Sequence, residues 1–522
     1  MKDFSMTARN TRRRHRHFLS LPLTAAVAVL GLMLGSCSVL APEQPTVSSA
    51  DPTVVGDVPA NLADFYTQAV TWTSCSGGFQ CAEVEVPMDY EKPSKESIKL
   101  AVTRLKASGK RQGAMLVNPG GPGGSGVDMV QDAAQAYFSE KLRDAYDVVG
   151  FDPRGVQRSA PVKCLDAAQM DAARQQTFDP STDAGMASLE GEAKRQSELC
   201  KDNSGPSLPF VDTVSAARDM DILRAVVGDP KLNYMGFSYG TKLGATYAGL
   251  FPERVGKFSL DGAMDPSLDI DQVSMGQAVG FEKALRAWAA DCLAGSDCPV
   301  SGTVDQAMAQ IRDLNDVYTA TPQQTPEGRV VTGTEFGGAL AFGMYSTDLW
   351  APLTGALKQA FAGDASGMLM LADFSADRDS DGQYNSNTAA AFTAINCLDY
   401  PMNSDIAHMR EQAKLLKEAA PTFGDLLAYS GLSCKFWPYE ATGKPAAISA
   451  AGAGPILVVG TTGDPATPYA WSEALAKQLD SGVLVTWEGE GHTAYGRSNA
   501  CLTSVVDDYF VDGKVPAEGT RC

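Results

Sequence analysis

The chain has 522 residues, with 43 Lys and Arg against 62 Asp and Glu and a formal net charge of −19. That balance repels nucleic acid and anionic headgroups, so nucleic-acid binding is set aside; the length exceeds what one plain domain usually needs. Eleven cysteines, four histidines and no C-x-x-C pair argue against a soft-ligand metal site, and neither metal nor cofactor is expected.

The N-terminus reads first. Lys2, Arg9, Arg12, Arg13, Arg14 and Arg16 face a single acid, Asp3, and the apolar run "FLSLPLTAAVAVLGLMLGSC" follows and ends at Cys37. A basic region, an apolar core and a small-residue boundary make residues 1–36 a secretory signal. A membrane anchor fits less well, because Pro22 and small residues interrupt the core and no stop-transfer segment follows. "LGSC" resembles a bacterial lipobox, which implies that Cys37 becomes the lipidated first residue. The protein is then exported and held on the outer face of the cytoplasmic membrane through its N-terminal lipid alone, by the Sec or the twin-arginine route. Cleavage would remove six positive charges and one negative, taking the net charge from −19 to about −24. Residues 37–60, rich in Pro, Ser, Ala and acids without an apolar period, read as a flexible tether.

Ten cysteines remain after Cys37, an even number that suits an oxidising compartment. Their spacing suggests that sequence neighbours pair: Cys75 with Cys81, Cys164 with Cys200, Cys292 with Cys298, Cys397 with Cys434, and Cys501 with Cys522.

Beyond the tether, β-branched runs predict strands at 98–106, 114–118, 147–151, 232–237, 257–262, 455–460 and 482–489. Helical patterns lie between them; in "TVSAARDMDILRAVVG" (213–228) the apolar residues recur at helical spacing and Gly228 follows the end. Strands alternating with helices predict an α/β fold, a mostly parallel sheet with helices on both faces. The alternation stops between 265 and 450, where Ala-, Leu- and Met-rich helical patterns without a clear strand predict an inserted helical cap. The core is thus expected in two parts, 61–264 and 451–522. Within the cap, "DRDSDG" (377–382) is half a calcium loop, but position twelve is Thr388 rather than a glutamate, so it reads as a solvated acidic turn.

Four loops after strands carry the chemistry. "AMLVNPGGPGGSG" breaks from a strand into Gly121-Pro122-Gly123-Gly124-Ser125-Gly126, the spacing of a dinucleotide-binding turn, with Asp152 after the next strand where a ribose-binding acid could stand. "YMGFSYG" holds Gly236-Phe237-Ser238-Tyr239-Gly240, a G-x-S-x-G between a strand and a helix, which puts Ser238 at the tip of a sharp turn. A serine hydroxyl needs a base. Of the two histidines left after processing, His408 lies on the solvated face of a helical pattern, whereas His492 follows the strand at 482–489 on a glycine-flanked loop. Asp464, in the loop after the strand at 455–460, is placed to orient it. The order Ser238, Asp464, His492 is that of the α/β-hydrolases. In that fold the loop after an early strand donates a backbone N–H to an oxyanion hole, which explains the glycines better than a phosphate does.

"NPGGPGGSG" also resembles the H-G-G-P-G loop of proline-iminopeptidase-type hydrolases, with Pro119 where their histidine stands, and "DPRGVQRS" resembles the segment that follows it there. The resemblance implies Gly121 as one oxyanion donor, with Tyr239 N–H as the second. "CAEVEVPMDYEKP", "LNYMGFSYGTKLGATYAGLFPERV", "AINCLDYP", "DPATPYAWSEALAKQL" and "GHTAYG" extend it to the secreted tripeptidyl aminopeptidases and mycobacterial carboxylesterase A-type serine proteases of actinobacteria, from Trp72 to Cys522. Membership implies an α/β-hydrolase core, a helical cap and release of tripeptides or other short peptides from free N-termini through an acyl-enzyme. Carboxylesterase activity, with the cap as a lid, is the alternative. The expected partner is therefore a peptide or ester substrate. Asp261, Asp265 and Asp399 are candidates to meet a substrate ammonium.

Overall fold

The computed structural model describes residues 45–49 and 52–522; the expected signal and Cys37 lie outside the described residues. Among the described residues eleven strands form one sheet: β1 (Thr46–Ser49), β2 (Ala69–Ser74), β3 (Gln80–Pro87), β4 (Ser97–Leu105), β5 (Gly113–Asn118), β6 (Tyr146–Phe151), β7 (Leu232–Phe237), β8 (Val255–Asp261), β11 (Ile456–Gly463), β12 (Gly482–Glu490) and β13 (Thr520–Arg521). Their order is β1-β2-β3-β4-β6-β5-β7-β8-β11-β12-β13. Pairing is antiparallel from β1 to β6 and parallel from β6 to β13. The remaining two, β9 (Gln323–Gln324) and β10 (Val330–Val331), make a small hairpin inside the stretch expected to hold no strand.

The central strands are apolar on both faces because helices cover both. Along β5, Ala114 and Leu116 join one buried cluster with Met220, Leu223, Leu243 and Ala248 from the helices Thr213–Val226 and Tyr239–Leu250. Met115 and Val117, one residue out of phase, join a second cluster with Val130, Leu502 and Val506 from the helices Gly126–Tyr137 and Ala500–Asp512. The period-2 alternation of a strand thus feeds two cores, as in a sheet buried on both sides.

The chain leaves β5 for β6 on one side and returns to β7 on the other. Ligands of open parallel sheets bind outside the carboxyl ends of the strands at such a reversal. The glycine loop leaves β5 and Ser238 leaves β7, so both stand there.

Between β8 and β11 the chain is helical from Ile270–Ala294 to Leu432–Lys435, apart from β9 and β10, and builds its own apolar cluster around Leu285, Trp288, Ile311, Phe336, Leu353 and Leu371. It does not roof the strand ends alone. The helices Ala167–Arg174 and Asp183–Ser204, which follow β6, share the task, and Arg174 joins the two parts by pairing with Glu335 and Asp373.

The expected tether is corrected. It does not run to residue 60: β1 pairs with β2, Val55 is in the core, and Arg224 donates to the Val54 carbonyl at 2.9 Å. The alternation of "TVSS" is too short and too polar to announce a strand by itself. All ten cysteines pair with their sequence neighbours, Cys75–Cys81, Cys164–Cys200, Cys292–Cys298, Cys397–Cys434 and Cys501–Cys522.

Candidate active site

Ser238 lies between β7 and the helix Tyr239–Leu250 at φ 56° and ψ −124°, a backbone state that disfavours any side chain. Its surroundings hold it there. The Ser238 N–H donates to Asp261 O at 2.9 Å, and Thr241 returns to Ser238 O through both its N–H and its hydroxyl. The turn needs Gly236, because a Cβ there would stand 2.4 Å from Gly240 O. Gly120, at φ 97°, presses against the same turn; a Cβ there would lie 2.4 Å from Phe237 O and 2.9 Å from Ser238 Cβ.

That contact brings the glycine loop alongside Ser238. The loop is fixed from behind: Asn118 Oδ1 accepts the Gly120 N–H, and Gly124 N–H closes onto Gly120 O. Among the described residues, neither Gly121 N–H nor Tyr239 N–H has a hydrogen-bond partner. The first turn of a helix leaves its N–H groups unpaired, so the Tyr239 donor follows from the helix start. Asp152 is buried beneath the loop and takes Ser125 Oγ, the Val127 N–H and Arg158. It therefore anchors the helix after the loop instead of facing a ribose.

His492 is buried behind the turn, its ring edge within reach of Gly262, the residue after Asp261. Asp464 lies 2.9 and 3.0 Å from His492 Nδ1 through its two oxygens. The carboxylate can only accept, so Nδ1 carries a proton, and in the neutral imidazole Nε2 then holds the lone pair. Asp464 in turn accepts N–H groups from Ala466, Thr467 and Thr493, which fix its plane. No hydrogen bond joins Ser238 Oγ to His492 among the described residues; such bonds are commonly long in free enzymes and tighten with substrate.

Three residues that sequence reasoning missed complete the picture. Thr467 donates to Asp464 and stands 3.3 Å from His492 Nδ1; its spacing three after Asp464 was the available signal. Tyr345, from the helical segment, accepts the His492 N–H at 2.9 Å and sets its ring edge-on to the imidazole at 5.3 Å. Thr213 links Tyr239 to Asp399. Neither of the last two carries a local signal.

None of the candidate ammonium-reading acids is among the residues that line the cavity, and each accepts hydrogen bonds from the protein itself. Asp261 is wholly buried and accepts the N–H groups of Ala494 and Tyr495; burial pushes its carboxyl up to about 6 against those bonds, with Asp464 adding to the rise. Asp265 takes Ser267 and Gln478. Asp399 is bound to Thr213 and Lys242; burial opposes the lysine's charge, yet Asp399 beside it holds its pKa above the ordinary value. The expectation for His408 is corrected: it is partly buried, with Nε2 2.8 Å from Asp271, and joins two helices instead of facing solvent. The acidic turn at 377–382 closes on itself, with Asp379 accepting from Asp381 and Gln383.

A cavity of about 2090 Å3 opens at the site, with Gly121, Ser238, Tyr239 and Thr467 among its lining residues. Its walls come from both roofing parts, through Met170 and Phe178 on one side and Ile270 and Phe392 on the other. The arrangement offers a hydroxyl on a strained turn, an imidazole with an oriented lone pair, and two unpaired N–H groups beside the hydroxyl. Those are the parts of acyl transfer.

The comparisons agree with that chemistry. Residues 420–522 match the family described as TAP-like protein. Serine protease Hip1 of Mycobacterium tuberculosis is 36% identical over 476 residues, which cover 87% of this chain and 91% of that protein. Carboxylesterase B of Mycobacterium tuberculosis is 37% identical over 516 residues, 96% of this chain and 98% of that one. Tripeptidyl aminopeptidase of Streptomyces lividans is 32% identical over 469 residues, 87% and 86%.

Proposed function

The chain belongs to the tripeptidyl-aminopeptidase-like serine hydrolases of the α/β-hydrolase fold, and from that membership we propose that it releases tripeptides or similarly short peptides from free N-termini. Ser238 is the nucleophile. It attacks the scissile carbonyl while His492 Nε2 takes its proton and then gives it to the leaving amine. Asp464 holds the imidazole and stabilises its charged form. The oxyanion receives the N–H groups of Gly121 and Tyr239. Water then repeats the sequence on the acyl-enzyme. The observation that carries this reading is a strained serine that lines one cavity together with Gly121 and Tyr239, whose N–H groups are unpaired among the described residues, combined with a buried His492 oriented by Asp464.

The esterase reading keeps the same machinery and is favoured by the relative named for carboxylesterase activity. One panel separates the two: a free-amine tripeptide amide, its acetylated counterpart and a short-chain ester. An exopeptidase cuts the free-amine peptide faster than the acetylated one by about 10²-fold, the scale of losing one desolvated ion pair. Equal rates on the two peptides, with the ester preferred, would make the esterase reading the better account.

Export with an N-terminal lipid on Cys37 belongs to the same proposal. Five disulfides support an oxidising compartment. Among the described residues no helix is long and apolar enough to cross a membrane. Mass spectrometry of the mature N-terminus tests it: a diacylated Cys37 is expected, and an unmodified N-terminus on a wholly released protein would contradict it.

A further inference from the structure

The helical segment between β8 and β11 touches the machinery at three separate points. Tyr345 O takes the His492 N–H. Thr388 Oγ1 donates to Gly123 O at 3.2 Å, on the glycine loop. The third contact is a buried charge. Asp399, the last residue of the helix Thr388–Asp399, accepts the Thr213 N–H at 2.9 Å, the Thr213 hydroxyl at 2.5 Å and Lys242 Nζ at 2.9 Å. Thr213 has then given its only hydroxyl proton to Asp399, so its oxygen accepts from the Tyr239 hydroxyl, 2.5 Å away. A line of donors runs from Tyr239 through Thr213 to Asp399. Lys242 closes it from the turn of helix that follows Ser238 and Tyr239.

We infer that Asp399 is a positioning residue for the oxyanion site, acting through Thr213 on Tyr239, whose backbone N–H is one of the two unpaired donors beside Ser238. The inference rests on the assignment of Ser238 as nucleophile and of that N–H as oxyanion donor. Tyr239 opens its helix, so no N–H to carbonyl bond of its own restrains it from the preceding turn. Thr241 holds the carbonyl side of the same peptide through Ser238 O, and the tyrosine side chain, tied at its far end, is a second hold on that residue. Donors to an oxyanion act within a narrow range of distance, and a misplacement of about 1 Å can cost about 10²-fold in rate. Serial hydrogen bonds also reinforce one another in a dry interior.

Space filling alone does not account for this choice of residues. A buried Lys–Asp pair carries a desolvation cost that an apolar pair of similar volume avoids. Here the pair converges, through one threonine, on the side chain next to the nucleophile. The helical segment is thereby part of the catalytic geometry and not a separable lid, and enzyme in which it is displaced turns over slowly even on substrates too small to touch it.

The test uses the full chain with Tyr239→Phe, Asp399→Asn and Ser238→Ala. Tyr239→Phe removes only the terminal hydroxyl, so it keeps the question open to refutation should Asp399→Asn leave Lys242 unpaired and fail to fold. Each variant is assayed on a short-chain ester and titrated with a trifluoromethyl ketone, whose adduct on a serine carries the oxyanion. For Tyr239→Phe, kcat should fall about 10-fold with KM within about twofold, and the inhibition constant should rise by the same factor as kcat falls. Folded Asp399→Asn should lose about 10²-fold in the same pattern. A network that only stabilises the fold would lower Tm and leave kcat and the inhibition constant of folded enzyme alone. Unchanged kcat and inhibition in Tyr239→Phe would therefore overturn the inference. Turnover surviving in Ser238→Ala would instead overturn the nucleophile assignment beneath it.

Discussion

At Ser238 the backbone is held at φ 56° and ψ −124°, a state that costs a side-chain-bearing residue about 1–3 kcal/mol. The hydroxyl is what that strain presents to substrate, so Ser238→Ala, which carries the same backbone burden, should keep Tm and lose about 10⁴-fold or more in kcat. A variant that retains a tenth of the activity would refute the assignment. Asp261 offers a pH test. Its carboxyl is raised from 3.8 to about 6 by burial, so the folded state binds that proton more tightly than the unfolded chain does. The resulting stabilisation is fully present below about pH 4 and is lost as pH rises through about 6, an effect of order 3 kcal/mol. Between pH 4 and 7 the wild-type protein should therefore lose more stability than Asp261→Asn does, as read by denaturant titration at each pH. Parallel curves would show that this proton is not bound more tightly in the fold.

At the level of elements, strands that are buried on both faces were legible in the sequence, because a run such as "AMLVN" is continuous in apolar residues and needs no partner to announce it. β1, β2 and β3 were not read as strands. β2 buries only Val70 and Trp72, with exposed residues between and beside them, a run too short to announce a strand without its partners β1 and β3. The same division holds in the site. Ser238, Asp464 and His492 were legible because each stands in a loop directly after a strand. Tyr345, Thr213 and Asp399 were not assigned their contacts, since those arise from helices brought together only by folding. The two turns that meet at the site give a test at this scale. Gly120→Ala would place a methyl 2.4 Å from Phe237 O at a φ of 97°, so the glycine loop and the serine turn must part. Loss of kcat by about 10²-fold or more, with a lowered Tm, is expected; a Gly120→Ala enzyme with wild-type kcat would show that the loop does not serve the oxyanion.

For the whole molecule, the roof is composite and its halves are joined by charge. Arg174 reaches Glu335, Asp373 and the Tyr384 hydroxyl, while Arg378 and Tyr384 reach back to Asp171. These groups are partly shielded from water, so removing one partner should cost more than a surface pair does. Arg174→Met should lower stability by about 2 kcal/mol, and the looser roof should raise KM for peptides more than for a short ester. Equal KM changes on both substrates would argue against a roof that shapes the peptide site. The ten described cysteines are all paired, so none of them should react as a free thiol in the native protein.

The central claim is that a peptide passes through a covalent ester on Ser238 beneath this roof. Rapid-quench mass spectrometry during turnover of a free-amine tripeptide ester tests it most directly. The account predicts an added tripeptidyl mass that maps to Ser238 in the wild-type enzyme during turnover, and that is absent from Ser238→Ala and from His492→Ala, which lacks the base that acylation needs. Turnover without any adduct, or an adduct on another residue, would contradict it.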